Sequence, residues 1–249
     1  MIELKDFSSR FGARTLLQGV DSLFPDATLT ALVGRNGCGK STLLRAMARL
    51  NDRYSGSILI DGEDARRASS VSMARHLAFV NTERTRIPNL KCRDVVAMGR
   101  APYTGWTGSL SPSDEAVVAD ALRLVGMIDF ADRTMDTMSD GECQRVMVAR
   151  ALAQDSPNLL LDEPTSFLDL PNRYQLVDLL RRLSAERGKC IIFSTHELDI
   201  ALNMTDNIAL IADGTIYNLP TSEMRDSSLI TEKFELNRYN DFPTTKKDI

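Results

Sequence analysis

Residues 34–42 read GRNGCGKST and directly follow a short, largely apolar run at 29–33. Gly34, Gly37 and Gly39 permit tight backbone curvature, and Leu43, Leu44, Met47 and Leu50 then recur at three- and four-residue spacing, which is one face of a helix. Strand, glycine loop and helix in that order form the phosphate-binding loop, in which backbone N–H groups at the helix start cradle anionic oxygens. Such a loop demands a parallel sheet behind it, and the rest of the chain supplies further strands of the required kind.

Short apolar runs recur at 77–80, 159–161 and 191–193, each followed by a helix-start signal, as expected of strands buried on both faces. Residues 1–7 and 57–60 alternate more, which fits an antiparallel flank at one edge. Between 84 and 155 strand-like runs give way to helical patterns around Val95, 117–125 and 146–152, and Leu176, Leu179, Leu180 and Leu183 mark a later helix. The expected class is therefore α/β: a mainly parallel sheet core (1–83 and 156–217), an antiparallel β flank and an inserted helical subdomain (84–155). Residues 218–249 are expected to hold one helix, about 222–234 with a serine cap, and a tail from 239.

The chain has 249 residues, 43% of them hydrophobic, which is ample for a buried core. Thirty Lys and Arg against 34 Asp and Glu give a net charge of −4, so no overall field draws it to nucleic acid. The start, MIELK, lacks a basic segment followed by an apolar one, and no apolar run is long enough for a spanning helix, so a cytoplasmic protein is expected. Cys38, Cys92, Cys143 and Cys190 show no metal-ligand spacing and read as free thiols, Cys190 as core. Cys38 lies at a helix N-terminus; either alkylation there blocks nucleotide, or it is simply a small residue that fits the loop.

Within the glycine loop, Lys40 places a cation where β- and γ-phosphates should lie, a pairing of roughly 4 kcal/mol at 4 Å and an effective dielectric near 20, before desolvation. Ser41 offers a hydroxyl to Mg²⁺ and Thr42 a further donor to phosphate. Downstream come Met138-Ser139-Asp140-Gly141-Glu142, then NLLLDEP with Asp162 and Glu163, then SFLD ending in Asp169, then FSTHE with His196. In that order the motifs resemble the ATP-binding-cassette (ABC) ATPases, over almost the whole chain.

The resemblance implies ATP and Mg²⁺ as ligands, with Gly34, Arg35, Asn36, Gly37, Cys38, Gly39, Lys40, Ser41 and Thr42 around the phosphates. It makes Asp162 a holder of the Mg²⁺ shell, Glu163 the base that polarises the attacking water, and His196 the residue that holds the γ-phosphate and that water. Ser139, Asp140, Gly141 and Glu142 are implied to close over nucleotide held by a second copy of the chain, and Asp169 to connect the two sites, although it could also cap the helix beginning near Pro171. Phe11 falls where the family stacks an aromatic on adenine. Two departures stand out. Asp140 replaces a usual glycine, so that an acidic pair, Asp140 and Glu142, faces a phosphate, and Thr82 stands where glutamine is usual, still offering Mg²⁺ an oxygen.

The function implied is the ATP-hydrolysing subunit of an ABC transporter, peripheral on the cytoplasmic face of the membrane and driving a separate transmembrane permease, without touching cargo or nucleic acid. The stretch from Val95 to Tyr103 and the SPSDE helix start at Ser111 are similar to importers of iron-siderophore complexes, haem and cobalamin. Soluble ABC ATPases of translation or DNA repair are the alternative; they usually add a second cassette, a coiled-coil insertion or basic arms, none of which is evident. A weakly catalytic regulatory cassette is a third reading. Tyr103 and Trp106, with Arg84 and Arg86 near the rim, are expected to flank the cleft between the helical subdomain and residues 81–88 that the resemblance implies receives a short helix of the permease, intramolecular packing being the alternative.

Overall fold

A computed structural model describes residues 1–82, 88–105 and 108–235. Along the chain, β1 (Ile2–Phe11) and β2 (Arg14–Phe24) form a hairpin, and β3 (Thr28–Gly34) leads into α1 (Lys40–Met47). β4 (Tyr54–Ile60), β5 (Glu63–Asp64), α2 (Ser70–His76) and β6 (Leu77–Val80) follow. Helices α3 (Cys92–Ala97), α4 (Pro112–Leu124) and α5 (Asp140–Ala153) then intervene before β7 (Asn158–Leu161). α6 (Leu170–Arg187), β8 (Cys190–Ser194), α7 (Leu198–Met204), β9 (Asn207–Ala212), β10 (Thr215–Pro220), α8 (Thr221–Asp226) and α9 (Leu229–Lys233) complete the order.

The strands make two sheets, one ordered β2-β1-β4-β5 and one ordered β10-β9-β3-β8-β7-β6. In the second, β9, β3, β8, β7 and β6 run parallel, and only β10 is antiparallel. The expected antiparallel flank is thus a sheet of its own rather than an edge of the parallel one. Period-two alternation explains why the central runs look uniformly apolar. Leu159, Leu161, Ile191 and Phe193 pack on one face among α3, α4, α5 and α6, whereas Leu160, Cys190 and Ile192 pack on the other with α1 and the antiparallel sheet.

At the end of the sheet where β7 begins, fully buried Asn158 ties the layers together: its amide donates to Asp61 Oδ2 (3.0 Å) and the His76 carbonyl (2.9 Å). Burial pushes the Cys190 thiol up to about 12, in keeping with a core role. Gln154, just after α5, donates to the carbonyls of Ala74 and Leu77, fixing that end of the helix against α2 and β6. In the same region Gly99 approaches the carbonyl of Arg150 so closely that a Cβ would lie 2.2 Å from it.

Two expectations need correction. The boundary drawn at 217/218 cuts through β10, because Asn218 continues the ladder and its amide reaches the Leu23 carbonyl at 2.8 Å. The helix expected over 222–234 is broken at Ser227–Ser228 into α8 and α9, and Pro220, not a serine, precedes α8, with no side-chain cap bond. The tail from 239 lies outside the described residues.

Candidate functional site

β3, β8 and β7 are adjacent parallel strands, so their C-terminal ends bring residues 34–42, 194–196 and 162–163 to one edge, where ligands gather in open α/β sheets. Gly39 precedes α1 with φ 113°, and a Cβ on Gly34 would lie 2.6 Å from Cys38 Sγ and 2.7 Å from the Ile211 carbonyl. Glycine is therefore required at both places. Lys40 is buried and bends back to donate from Nζ to the Gly34 carbonyl at 2.9 Å, a contact a phosphate can displace. Cys38 is half-buried in the same loop. Arg35 points outward to an ion pair with Glu235 at 2.9 Å, a link that nothing in the sequence pattern announced.

Asp162 is buried and held from four sides. Its N–H donates to the Val80 carbonyl (2.8 Å), and its own carbonyl accepts from Thr82 Oγ1 (3.0 Å). Oδ1 accepts from Ser41 Oγ (3.0 Å) and Ser194 Oγ (2.7 Å). Thr82 thus spends its hydroxyl hydrogen on the backbone, leaving lone pairs on its oxygen. Glu163 follows with φ 47°, unusual for a non-glycine residue, and its N–H donates to Ser194 Oγ at 2.8 Å. Its carboxylate accepts from Ser166 Oγ (3.1 Å), and Oε1 lies 3.9 Å from Nδ1 of the exposed His196. Glu163 and His196 are therefore side by side, as the motif order implied.

The segment at 138–142 is where the structure revises the sequence reading. Ser139 caps α5, its Oγ accepting from the Glu142 N–H (3.3 Å), while Glu142 Oε2 accepts from the Ser139 N–H (2.7 Å) and Oγ (2.9 Å). This is a capping box, legible as Ser-x-x-Glu. The bond from the Ser139 N–H is the chief cause that holds the Glu142 carboxyl below its usual range, with help from Arg133. Glu142 is turned back on its own helix rather than outward toward a phosphate. Gly141 lets α5 approach the following loop: a Cβ there would lie 3.3 Å from both Leu168 Cδ2 and the Phe167 carbonyl. Asp169 caps α6 by accepting from the Asn172 N–H at 3.2 Å.

Sequence reading also missed a brace between the loop ending in Asp169 and the one holding His196. Arg173 donates to the Leu168 carbonyl (2.7 Å) and to Glu197 Oε1 (2.9 Å), joining the two loops. Phe11, 75% exposed, ends β1 with its ring free for a ligand. Tyr103 is half-exposed, its ring 4.1 Å from the Arg100 guanidinium and 5.5 Å from that of Arg75, so intramolecular stacking accounts for one face of the expected dock. Arg84, Arg86 and Trp106 lie outside the described residues.

A glycine loop opening a helix after β3, and paired acids after β7 on a mainly parallel sheet, define a P-loop nucleoside-triphosphatase fold. The ABC transporter family matches residues 17–166. The chain is 36% identical over 236 residues to the achromobactin transport ATP-binding protein CbrD of Dickeya dadantii (strain 3937), covering 94% of this chain and 88% of that one. It is 34% identical over 236 residues to the petrobactin import ATP-binding protein FpuD of Bacillus anthracis, covering 94% and 86%. A dimeric ATP-binding cassette in a post-hydrolysis state bound to ADP and Pi superimposes with a TM-score of 0.78 at 25% identity, covering 89% of this chain and 99% of that one. The chain belongs to the ABC transporter family.

Proposed function

We propose that the chain is the ATP-hydrolysing subunit of an ABC importer for a siderophore-, haem- or cobalamin-type complex. The observation that carries the ATPase reading is the convergence of Lys40, Ser41, Asp162, Glu163 and His196 on one sheet edge. Asn36, Gly37, Cys38, Gly39, Lys40 and Thr42 surround the phosphates of ATP, Arg35 joining them through its main chain only, and Phe11 stacks on the adenine. Ser41, Asp162 and the free lone pairs of Thr82 form an oxygen-only donor set suited to a hard cation, and would hold Mg²⁺, which offsets charge on the phosphate oxygens. Glu163 accepts a proton from water as its oxygen attacks the γ-phosphorus and the bond to the ADP oxygen breaks, yielding ADP and phosphate. His196 steadies the γ-phosphate beside it.

Completion of the site by a second copy is supported by the dimeric cassette it resembles. In this reading Ser139, Asp140 and Gly141 close over nucleotide on the partner, with Asp169 at the junction and Glu142 acting through its capping of Ser139. No helix among the described residues is long and apolar enough to cross a membrane. A separate permease supplies the pathway, and the ATPase docks on its cytoplasmic face. A cleft of about 570 Å³ lined by Leu50, Met73, Phe79, Asn81, Met147 and Arg150 is the candidate dock, with the exposed side chain of Leu50 at its rim. The import direction is supported by the FpuD relative, and the cargo class by the CbrD and FpuD relatives together with the stretch from Val95 to Tyr103.

Glu163→Gln tests the core of this reading. It should keep ATP binding, lose steady-state hydrolysis and accumulate as an ATP-bound dimer in size-exclusion chromatography. Hydrolysis at the parental rate would remove Glu163 from the role of base.

A further inference from the structure

Ser194 is fully buried at the end of β8, where the other residues, Cys190, Ile191, Ile192 and Phe193, are all less polar core residues. Its single hydroxyl makes two contacts with consecutive residues of the neighbouring strand end: it donates to Asp162 Oδ1 at 2.7 Å and accepts from the Glu163 N–H at 2.8 Å. A hydroxyl has one hydrogen and two lone pairs, so both bonds form at once and each polarises the other. Their directions are fixed, because a backbone N–H only donates and an ionised carboxylate only accepts.

The two partners are of different kinds. Asp162 Oδ1 is also the acceptor for Ser41 Oγ, so Ser194 supplies the bond that continues to orient this carboxylate when Ser41 turns to a cation. Glu163 has φ 47°, a backbone state that non-glycine residues reach only at an energetic cost and that persists where neighbouring contacts enforce it. The hydroxyl of Ser194 satisfies the one backbone donor of that strained residue. Ser166 holds its carboxylate at 3.1 Å and donates its N–H to the Glu163 carbonyl at 3.2 Å, a contact on the following peptide that leaves the Glu163 N–H to Ser194.

We propose that Ser194 is a positioning residue for ATP hydrolysis, setting the backbone direction of Glu163 and the carboxylate orientation of Asp162 through one shared hydroxyl. This rests on the assignment of Glu163 as base. Two demands follow that ordinary core packing does not make: at saturating Mg²⁺ Ser194 must act on turnover more than on ATP binding, and that effect on turnover must run through Glu163.

The test is a double-mutant cycle of Ser194→Ala with Glu163→Gln, read by steady-state and single-turnover ATP hydrolysis, with Mg²⁺ titration and thermal melting alongside. Removing the hydroxyl should lower kcat by about ten- to a hundredfold, the scale of a misplaced reacting group. ATP KM should stay within about twofold, and half-saturating Mg²⁺ should rise. On the Glu163→Gln background the same substitution should change the residual single-turnover rate by less than about twofold, because neighbours that act as one unit are not additive. A kcat for Ser194→Ala within twofold of the parent, or equal fold losses on both backgrounds, would overturn the proposal, whatever the melting temperature does. Parental turnover by Glu163→Gln alone would instead sink the assignment of the base.

Discussion

Gly99→Ala is expected to destabilise the protein far beyond the size of the change. An added Cβ would stand 2.2 Å from the Arg150 carbonyl oxygen, 3.1 Å from the Gln154 backbone nitrogen and 3.2 Å from Ala153 Cβ. Two of these neighbours are helix backbone and the third is a methyl fixed to it, so no flexible side chain can yield. Relief requires the turn at Met98–Arg100 to separate from α5, which also disturbs the Arg100 bonds to the Ala153 carbonyl (2.8 Å) and to Asp114 (2.9 Å). Overpacking of this kind costs about 1–3 kcal/mol. For a chain of this size each kcal/mol moves Tm by about 2–4 °C, giving a fall of roughly 2–12 °C. Differential scanning calorimetry measures it directly. Gly105→Ala is the matched control, since no atom of the described residues outside its chain neighbours lies within 4 Å of its Cβ position. If Gly99→Ala melted with the control, the close approach of the turn to α5 would be wrong.

Lys40→Ala removes a buried cation that donates from Nζ to the Gly34 carbonyl, so ATP affinity should fall by at least about tenfold, as for loss of a charged hydrogen bond, with little change in Tm. Isothermal titration would settle it, an unaltered Kd being incompatible with the phosphate role. The carboxyl of Asp114 is held at about 2 by the Ser111 hydroxyl and N–H and then by Arg100. A lowered carboxylate stabilises above its unfolded pKa, near 4, and that contribution disappears as pH falls through about 2. Asp114→Asn should therefore be less stable than the parent in urea at pH 7 and converge on it toward pH 2; a constant gap across that range would contradict the pairing.

Much of the fold was legible because both faces of the parallel sheet are buried, which writes strands such as 159–161 and 191–193 as plain apolar runs beside glycine and acidic punctuation. The candidate site was legible as a gathering of residues at one end of the sheet, since Lys40, Asp162, Glu163 and His196 each fall in a motif at a strand end. What escaped depends on long-range geometry or on a local signal given the wrong weight. Ser194 reads as one polar letter at a strand end until β7 is placed beside it, and Arg173 meets Glu197 only because α6 packs against the start of α7. Glu142 is different: the Ser-x-x-Glu spacing of Ser139 and Glu142 encodes a capping box locally, which outweighs the charge of the acidic pair in setting where the Glu142 carboxylate points. The break between α8 and α9 hid for another reason, since residues 221–234 contain neither glycine nor proline to mark an interruption at Ser227–Ser228.

The bonds from Gln154 to the carbonyls of Ala74 and Leu77 also set a tolerance at the other end of α5. From Gln154 back to Ser139 the helix spans about 22 Å at its 1.5 Å rise per residue, so each degree of tilt about the anchored end sweeps Ser139 sideways by about 0.4 Å. A hydrogen bond retains its length over only about half an ångström. Under the proposed closure of Ser139 over a second copy's nucleotide, the lever converts one or two degrees at Gln154 into contact, or loss of contact, at Ser139.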